Sequence, residues 1–184
     1  FTSAAAATAT AGQPLAFTIT TAGSPLALLM NITRNGPLPA GLTFTNLANG
    51  TALLAGTPSG SGGGTYPLTL AAQNAGGTTT QAFVLTVDAP PAIVTGTSAT
   101  ATVGSGFNLT VRARGFPAPT MAETGALPQG LTWTDNGNGT ATLAGAPGVA
   151  QGGVDKLTFT AASATGTTTQ SFTLTVDQAP GILT

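Results

Sequence analysis

The chain has 184 residues, of which 41% are hydrophobic and only 5% are charged, and its formal net charge is −1. An average globular protein is roughly 25% charged, and four basic residues leave no basic patch for nucleic acid. Cysteine and histidine are absent, which excludes disulfides, Cys/His zinc sites and histidine-based acid–base catalysis. No apolar run reaches the ~18 residues that span a bilayer, so we expect no membrane insertion.

The chain is built from an internal repeat. The segments Leu38–Pro58 and Leu127–Pro147 share the strings Leu-Pro-x-Gly-Leu, Asn-Gly-Thr and Leu-Ala-Gly-x-Pro at a constant offset of 89 residues. A fixed period dictates the architecture, and two repeats of about 92 residues are each long enough to fold around their own core. The sequence therefore predicts one domain over residues 1–90 and a second over residues 91–184.

The last residues resemble the junction between the repeats. Ala179-Pro180-Gly181-Ile182 at the end of the chain is similar to Pro91-Ala92-Ile93 at the start of the second repeat. We expect the chain to end in the start of a further repeat or linker.

Strand signals begin each repeat. Apolar residues alternate with polar ones, which is typical of a half-buried strand, at Leu15, Phe17 and Ile19 and again at Phe107, Leu109 and Val111. A Gly/Pro-rich loop follows, and the segment between this loop and the Leu-Pro-x-Gly-Leu string is three residues longer in the first repeat. We predict a further strand between this loop and the Leu-Pro-x-Gly-Leu string in both copies.

The second half of each repeat predicts a hairpin and two long strands. Asn49-Gly50 and Asn138-Gly139 are strong hairpin signals, because both residue types accept a positive φ. The two last strands have inward-facing residues at Leu68, Leu70, Ala72, Phe83, Leu85 and Val87, and in the second copy at Leu157, Phe159, Ala161, Phe172, Leu174 and Val176. About seven short strands per repeat, without a helical period, predict an all-β protein of two β-sandwiches.

These motifs resemble a known family. Thr-Ala-Thr-x-Gly, Leu-Pro-x-Gly-Leu-x-(Phe/Trp), Asn-Gly-Thr-x-x-Leu-x-Gly-x-Pro and the final Phe-x-Leu-Thr-Val occur in both copies. The pattern resembles the bacterial "putative immunoglobulin" repeats, which are related to cadherin-like domains. The resemblance implies two tandem Ig-like sandwiches from a large secreted or cell-surface bacterial protein. It implies no catalytic residues and no cofactor.

Calcium is the one metal that the resemblance brings up. Cadherin relatives bind Ca²⁺ at domain junctions, where this chain has Asp88 and Asp177. Calcium prefers six to eight oxygen ligands, usually with several carboxylates, and neither residue has an acidic neighbour in sequence. Both aspartates are better interpreted as polar strand ends. Asp135–Gly139 superficially resembles a calcium loop but lacks its spaced acids, so we predict a hairpin turn.

Two other features are candidate sites. Gln81 and Gln170 occupy equivalent positions near many threonines, which leaves open an intramolecular Thr–Gln crosslink. Trp133 and Phe44 could stack on sugars, but both are in phase with inward leucines, so core packing is the better interpretation.

Two functions from different classes remain. The first is a non-catalytic spacer that projects or links other modules and contacts neighbouring repeats of its own chain. The alternative is an adhesion module that binds a cell-surface protein or glycan through loops at one end of the sandwich. The candidate loops are those that differ most between the repeats, Pro25–Pro37 and Gly115–Gly125, with Arg34, Arg112 and Arg114 as candidate ligand-binding residues. Without His, Cys or a repeated carboxylate pair, an enzyme is poorly supported.

Overall fold

The computed structural model describes residues 1–23 and 31–180. Within these ranges the chain forms fourteen β-strands and no helix, so none of the described segments is a helix that could cross a membrane. The strands are β1 (Ala6–Thr10), β2 (Leu15–Thr20), β3 (Asn31–Asn35), β4 (Leu42–Asn46), β5 (Thr51–Gly56), β6 (Gly64–Asn74), β7 (Gly77–Ile93), β8 (Ser98–Thr102), β9 (Phe107–Phe116), β10 (Thr120–Thr124), β11 (Leu131–Asp135), β12 (Thr140–Gly145), β13 (Gly153–Ser163) and β14 (Gly166–Asp177).

Two compact units divide the chain, Phe1–Ala89 and Pro90–Thr184. In the first unit, β2, β5 and β4 form an antiparallel sheet in the order β2-β5-β4. The second sheet pairs β3 with β6 and β6 with β7 in antiparallel fashion, and β1 joins β7 in parallel. Before β1, the amides of Thr2 and Ser3 donate to the Thr20 carbonyl in β2. The start of the chain therefore contributes to both sheets of this sandwich.

The second unit repeats this arrangement. One sheet contains β11, β12 and β9 with the end of β7, and the other has the order β10-β13-β14-β8. The Val94 amide donates to the Arg112 carbonyl in β9, and the chain then continues as β8, which pairs in parallel with β14. The predicted all-β fold of two Ig-like sandwiches is thus confirmed, as is the expected strand before each Leu-Pro-x-Gly-Leu string, which is β3 or β10.

Apolar side chains alone fill the described core of each unit. Every inward residue predicted on the last two strands of each repeat is buried, and no polar or charged described residue is. Ile19 and Val111 are also buried. Leu15, Phe17, Phe107 and Leu109 are only half-buried, because they lie in the first half of β2 or β9, away from the centre of the sandwich. Leu28, Leu29 and Met30, which belong to the segment where the sequence predicts the strand before the Leu-Pro-x-Gly-Leu string, lie outside the described residues.

Aromatic residues fill the two cores from different strands. In the first unit, Phe17 packs against Phe83 with ring centroids 5.4 Å apart. The second unit has a leucine in place of Phe17, and Phe159 stands where the first unit has a leucine. Phe159 lies 4.6 Å from Phe172 and stacks on Trp133 at 5.1 Å. The predicted core packing of Trp133 is confirmed, and the two cores compensate in volume rather than matching residue by residue.

The hairpin predicted at each Asn-Gly is present. Gly50 and Gly139 both have φ +78°, between antiparallel strands. The Oδ1 atom of Asn138 accepts hydrogen bonds from the amide (3.1 Å) and the hydroxyl (2.7 Å) of Thr140, and the first repeat has the same pair of bonds. The role of the Asn-Gly-Thr string is to form the turn, because the Asn side chain accepts hydrogen bonds in place of a backbone carbonyl.

The other glycines of the repeated motif lie at the open ends of the β4–β5 and β11–β12 hairpins, where the two paired backbones approach each other closely. A Cβ atom on Gly41 would lie 2.0 Å from the Thr57 carbonyl oxygen, and one on Gly56 would lie 2.1 Å from that of Gly41. Gly130 and Gly145 show the same relation. Real Cβ atoms do not approach this closely, so only glycine permits the contact. We call each pair, Gly41 with Gly56 and Gly130 with Gly145, a glycine crossing.

Hydrogen bonds tie the crossing to both sheets. In the second unit the Ala146 amide donates to the Gly130 carbonyl at 3.1 Å, and the Gly104 amide donates to the Pro147 carbonyl at 2.8 Å. Gly104 follows β8, which belongs to the opposite sheet from β11 and β12. The first unit has equivalent bonds, from Thr57 to Gly41 and from Gly12 to Pro58. The strings Leu-Pro-x-Gly-Leu, Gly-x-Pro and Thr-Ala-Thr-x-Gly therefore meet at one place in each sandwich.

The crossing predicts a large effect of one methyl group. Gly145→Ala places a Cβ 2.0 Å from the Gly130 oxygen at a φ of +137°, and overpacking and strain together should cost about 3 kcal/mol or more of unfolding free energy. Urea unfolding followed by the fluorescence of Trp133, the only tryptophan, measures this. The control Gly106→Ala adds the same methyl in open space and should change stability by less than about 0.5 kcal/mol. Equal effects of the two substitutions would contradict the crossing.

Candidate functional site

Arg112 and Arg114 project from the same face of strand β9. Both are exposed, and Val111 beside them is buried, so the two arginines lie on the outer face of the sheet. Alternate residues of a strand are about 6.7 Å apart. The neighbouring strand places Thr140 opposite Arg112. Within the described part of the chain, neither guanidinium has a hydrogen bond or ion pair.

The backbone at Arg112 is held on both sides. One edge of β9 pairs with β12. On the other edge, the Val94 amide donates to the Arg112 carbonyl at 2.9 Å, and the Arg112 amide donates to the Thr95 hydroxyl at 2.6 Å. The strand is thus paired along both edges at this point. The positions of the two arginine Cα atoms are fixed by the sheet, and only the side chains are free to move.

Arg34 is in a different setting. It lies on β3 in the first unit, and its guanidinium donates to the Gly36 carbonyl of its own strand end. The structure therefore groups two of the three predicted arginines, Arg112 and Arg114, on one strand, while Arg34 belongs to the other unit.

The predicted binding loops are mostly not loops. Within Gly115–Gly125, the first two residues end β9 and Thr120–Thr124 form β10, so only Pro117–Pro119 connect strands there. In the first repeat, residues 31–35 form β3 and residues 25–30 lie outside the described residues. The interpretation as end loops was wrong for most of the described residues of these segments, because the alternation of apolar and polar residues continues through them as strand. The candidate surface moves to the face of β9.

The aspartates considered for calcium are strand residues. Asp88 pairs with Thr10 along the parallel ladder, and Asp177 pairs with Thr102. In the described residues no three His, Cys, Asp or Glu side chains come together as a metal-binding group. Asp135 accepts hydrogen bonds from the amides of Met121 and Gly137 at 3.1 and 3.0 Å, so the predicted hairpin role of the Asp135–Gly139 segment is confirmed.

Three side chains with polar atoms, Tyr66, Gln170 and Trp133, have structural partners or packing roles. The Tyr66 hydroxyl donates to the Gly62 carbonyl at 2.8 Å, a bond of the kind found in the tyrosine corner of Ig-like domains. The Gln170 amide donates to the Thr95 carbonyl at 2.9 Å, whereas its Oε1 is buried without a partner. The indole N–H of Trp133 is likewise buried without a partner, which suits packing rather than sugar stacking on an exposed ring.

Glu123 is a residue that the sequence reasoning passed over. It lies on β10 opposite Phe159, in phase with buried Met121, and its Oε1 is buried without a hydrogen bond. Burial raises the pKa of this carboxyl above its usual value. The first repeat has Arg34 at the equivalent position, 89 residues earlier. A charged residue in phase with a core residue was the signal that could have identified it.

A surface depression of about 280 Å³ lies in the first unit. Its lining comes from Thr21–Gly23 after β2, from Ala72 and from residues of the β6–β7 turn, and every lining residue is uncharged. None of the residues predicted from the sequence as a site lines this depression.

The shifted carboxyl predicts a dependence of stability on pH. The folded protein holds the Glu123 proton to higher pH than the unfolded chain. The contribution of Glu123 to stability therefore falls as pH rises from its ordinary pKa through the raised one. Glu123→Gln should raise the free energy of unfolding in urea at pH 7, by less than about 1 kcal/mol because this group is partly exposed. At pH 3 it should have little effect. A variant that is less stable than wild type at pH 7 would contradict the assignment.

Comparisons with known proteins agree with the fold. The model of the "Putative Ig domain" family matches residues 1–88 and again residues 90–177. No curated protein sequence matches the chain. The solved structure of "Titin Ig tandem domains A164-A165" is 17% identical, with a TM-score of 0.61, covering 95% of this chain and 93% of that one. A second titin structure, of A168–A169, is 14% identical, with a TM-score of 0.67 over 92% of this chain and 93% of its own.

At these identities the likeness to titin concerns the fold alone. The family match, by contrast, covers nearly the whole chain in two consecutive copies. Tandem Ig-like domains of this kind suggest a structural or spacer module, and the fold is typically non-catalytic. The chain belongs to the Putative Ig domain family as two tandem Ig-like domains.

Proposed function

We propose that this chain is a non-catalytic spacer of a large secreted or cell-surface bacterial protein, in which it links or projects other modules. Its immediate partners are then the neighbouring repeats of the same chain, with domains over residues 1–90 and 91–184. The observation that carries the proposal is the parallel pairing of the first and last strands within each unit.

The parallel pairing suits a module that bears tension. In the second unit, β8 pairs in register with β14 from Thr173 to Asp177. Parallel strands run in the same direction, so a pull on the start of β8 and the end of β14 loads all of their hydrogen bonds in shear. The bonds then break together rather than one at a time. The first unit has the same arrangement between β1 and β7.

The hydrogen bonds at the two ends of the β8–β14 ladder identify which amides of β8 bond to β14. The Thr173 amide donates to the Thr97 carbonyl, and the Val103 amide donates to the Asp177 carbonyl. Because parallel strands bond through alternate residues, Ala99 directs its amide toward β14 while Thr100 directs its amide away. β8 lies at the edge of its sheet among the described strands, so the Thr100 amide faces no further strand in this part of the chain.

A proline substitution tests whether this ladder resists tension. Single-molecule pulling of the full chain between handle proteins should give two unfolding events, each releasing about 300 Å for about 90 residues. Ala99→Pro removes a ladder hydrogen bond and should shift one of the two events to lower force. Thr100→Pro is the matched control and should leave both forces within error. Two events with unchanged force in Ala99→Pro, or no resolved events in wild type, would contradict the proposal.

A second candidate function is adhesion to a cell-surface protein or glycan. The observation that favours it is the pair Arg112 and Arg114, whose equivalents in the first repeat are Thr20 and Ala22. The cores and crossings of the two units serve the fold, whereas this pair is exposed and without a described partner. Two charged groups on one face that differ between the copies indicate a role that is not common to every repeat.

A further inference from the structure

The arginine pair lies on a face that carries no other described charge. On β9 and β12, the outward residues beside the pair are hydroxyl-bearing: Thr110, Thr140 and Thr142. On the other edge of β9, exposed Val94 is hydrogen-bonded to Arg112 and is the apolar neighbour of the pair. The side-chain amide of Asn136 donates to the hydroxyls of Thr140 and Thr142 at 3.0 and 3.2 Å. We call this surface, formed by Thr110, Arg112, Arg114, Thr140 and Thr142, the β9 face.

The acids of the second unit do not neutralise the pair. Asp135 is bound to the amides of Met121 and Gly137. Glu123, Asp155 and Asp177 lie on β10, β13 and β14, which form the opposite sheet. The other two basic residues differ in this respect. Lys156 donates to the Thr173 hydroxyl at 2.9 Å, and Arg34 donates to the Gly36 carbonyl. Two of the four cations of the chain are therefore adjacent and without a described partner.

We propose that the β9 face binds an acidic polysaccharide, with Arg112 and Arg114 each pairing with a carboxylate or sulfate group of the glycan chain. The proposal rests on the second candidate function, adhesion, and is independent of the spacer function. A guanidinium pairs with carboxylates and sulfates through two parallel N–H donors. The threonine hydroxyls beside the pair supply donors and acceptors for sugar hydroxyls.

The composition of the face favours a charged glycan over other partners. Protein interfaces have an apolar, often aromatic centre, whereas the residues of the β9 face are polar. Neutral sugars are commonly bound by stacking on exposed aromatic rings, but the indole of Trp133 stacks on Phe159. What the face offers is two arginines whose Cα atoms the strand holds about 6.7 Å apart. A polymer with recurring anionic groups can contact both at once, and repeated weak contacts add through multivalency.

Binding assays with defined polymers test the proposal in the full chain. Polygalacturonate supplies carboxylates, dextran sulfate supplies sulfates, dextran is the neutral polymer, and polyglutamate stands for an acidic protein. Affinity is measured at about 10 mM ionic strength, where the Debye length is about 30 Å, and at about 1 M, where it is about 3 Å. The test variant is Arg112→Gln/Arg114→Gln. The control variant Arg34→Gln/Lys156→Gln removes the same charge from other places.

The expected result is binding of polygalacturonate or dextran sulfate at low salt. The test variant should weaken it about tenfold and the control variant less than about twofold. Arg112→Lys/Arg114→Lys should lie between, because it keeps the charges but loses the bidentate geometry. Urea midpoints confirm that every variant is folded. Equal losses in test and control variants, equal binding of dextran, or tighter binding of polyglutamate would overturn the proposal. The pulling forces of the test variant should equal those of wild type, which separates failure of this proposal from failure of the spacer function.

Discussion

The contact of backbone with backbone at each glycine crossing is the constraint on which the rest of the sandwich depends. A Cβ on Gly145 would lie 2.0 Å from the Gly130 oxygen, so neither position can carry a side chain without moving the backbone. The close approach holds the end of β12 against the residue that precedes β11. Two residues after Gly145, the Pro147 carbonyl accepts a hydrogen bond from the Gly104 amide, which follows β8. One local contact thus connects a hairpin of one sheet to the first strand of the other.

The fold followed from the sequence because its strongest signals are local. Alternation over β6, β7, β13 and β14 predicted buried faces correctly, and Asn-Gly predicted two hairpins, because both signals arise within a few residues. The meeting of Gly41 and Gly56 depends on residues that are 15 apart in sequence, and the bond from Gly12 to Pro58 depends on a still longer separation. No local preference encodes such contacts. Only the recurrence of both glycines in the second copy hinted that they act as a pair.

The candidate site was predicted less well, for a related reason. The residues Arg112 and Arg114 were proposed because they lie near the segment Gly115–Gly125, which differs between the repeats and was interpreted as a loop. The structure places them on a strand that is paired along both edges. Glu123 was missed because its charge suggested an exposed side chain, although its position after Met121 put it in phase with the core. Which strands lie on either side of β9 or β10 depends on pairing between distant segments, and that pairing was not visible in the sequence.

The two units share a scaffold and differ in surface charge. Crossings, hairpins and parallel end strands are repeated, so these elements serve the fold and, as we propose, its resistance to tension. The arginine pair occurs in the second unit alone, and there we locate the proposed ligand contact. Function specific to this chain is therefore assigned to positions where the copies disagree, and mechanical function to positions where they agree.

Amide hydrogen exchange measures the central claim most directly, since it reports the stability of single hydrogen bonds. The Ala146 and Gly104 amides donate to the carbonyls of Gly130 and Pro147. Both should exchange as slowly as the amide of buried Leu143. The exposed Gly106 amide should exchange rapidly. If the Ala146 and Gly104 amides exchanged as fast as Gly106 while Leu143 stayed protected, the crossing would not hold the two sheets together.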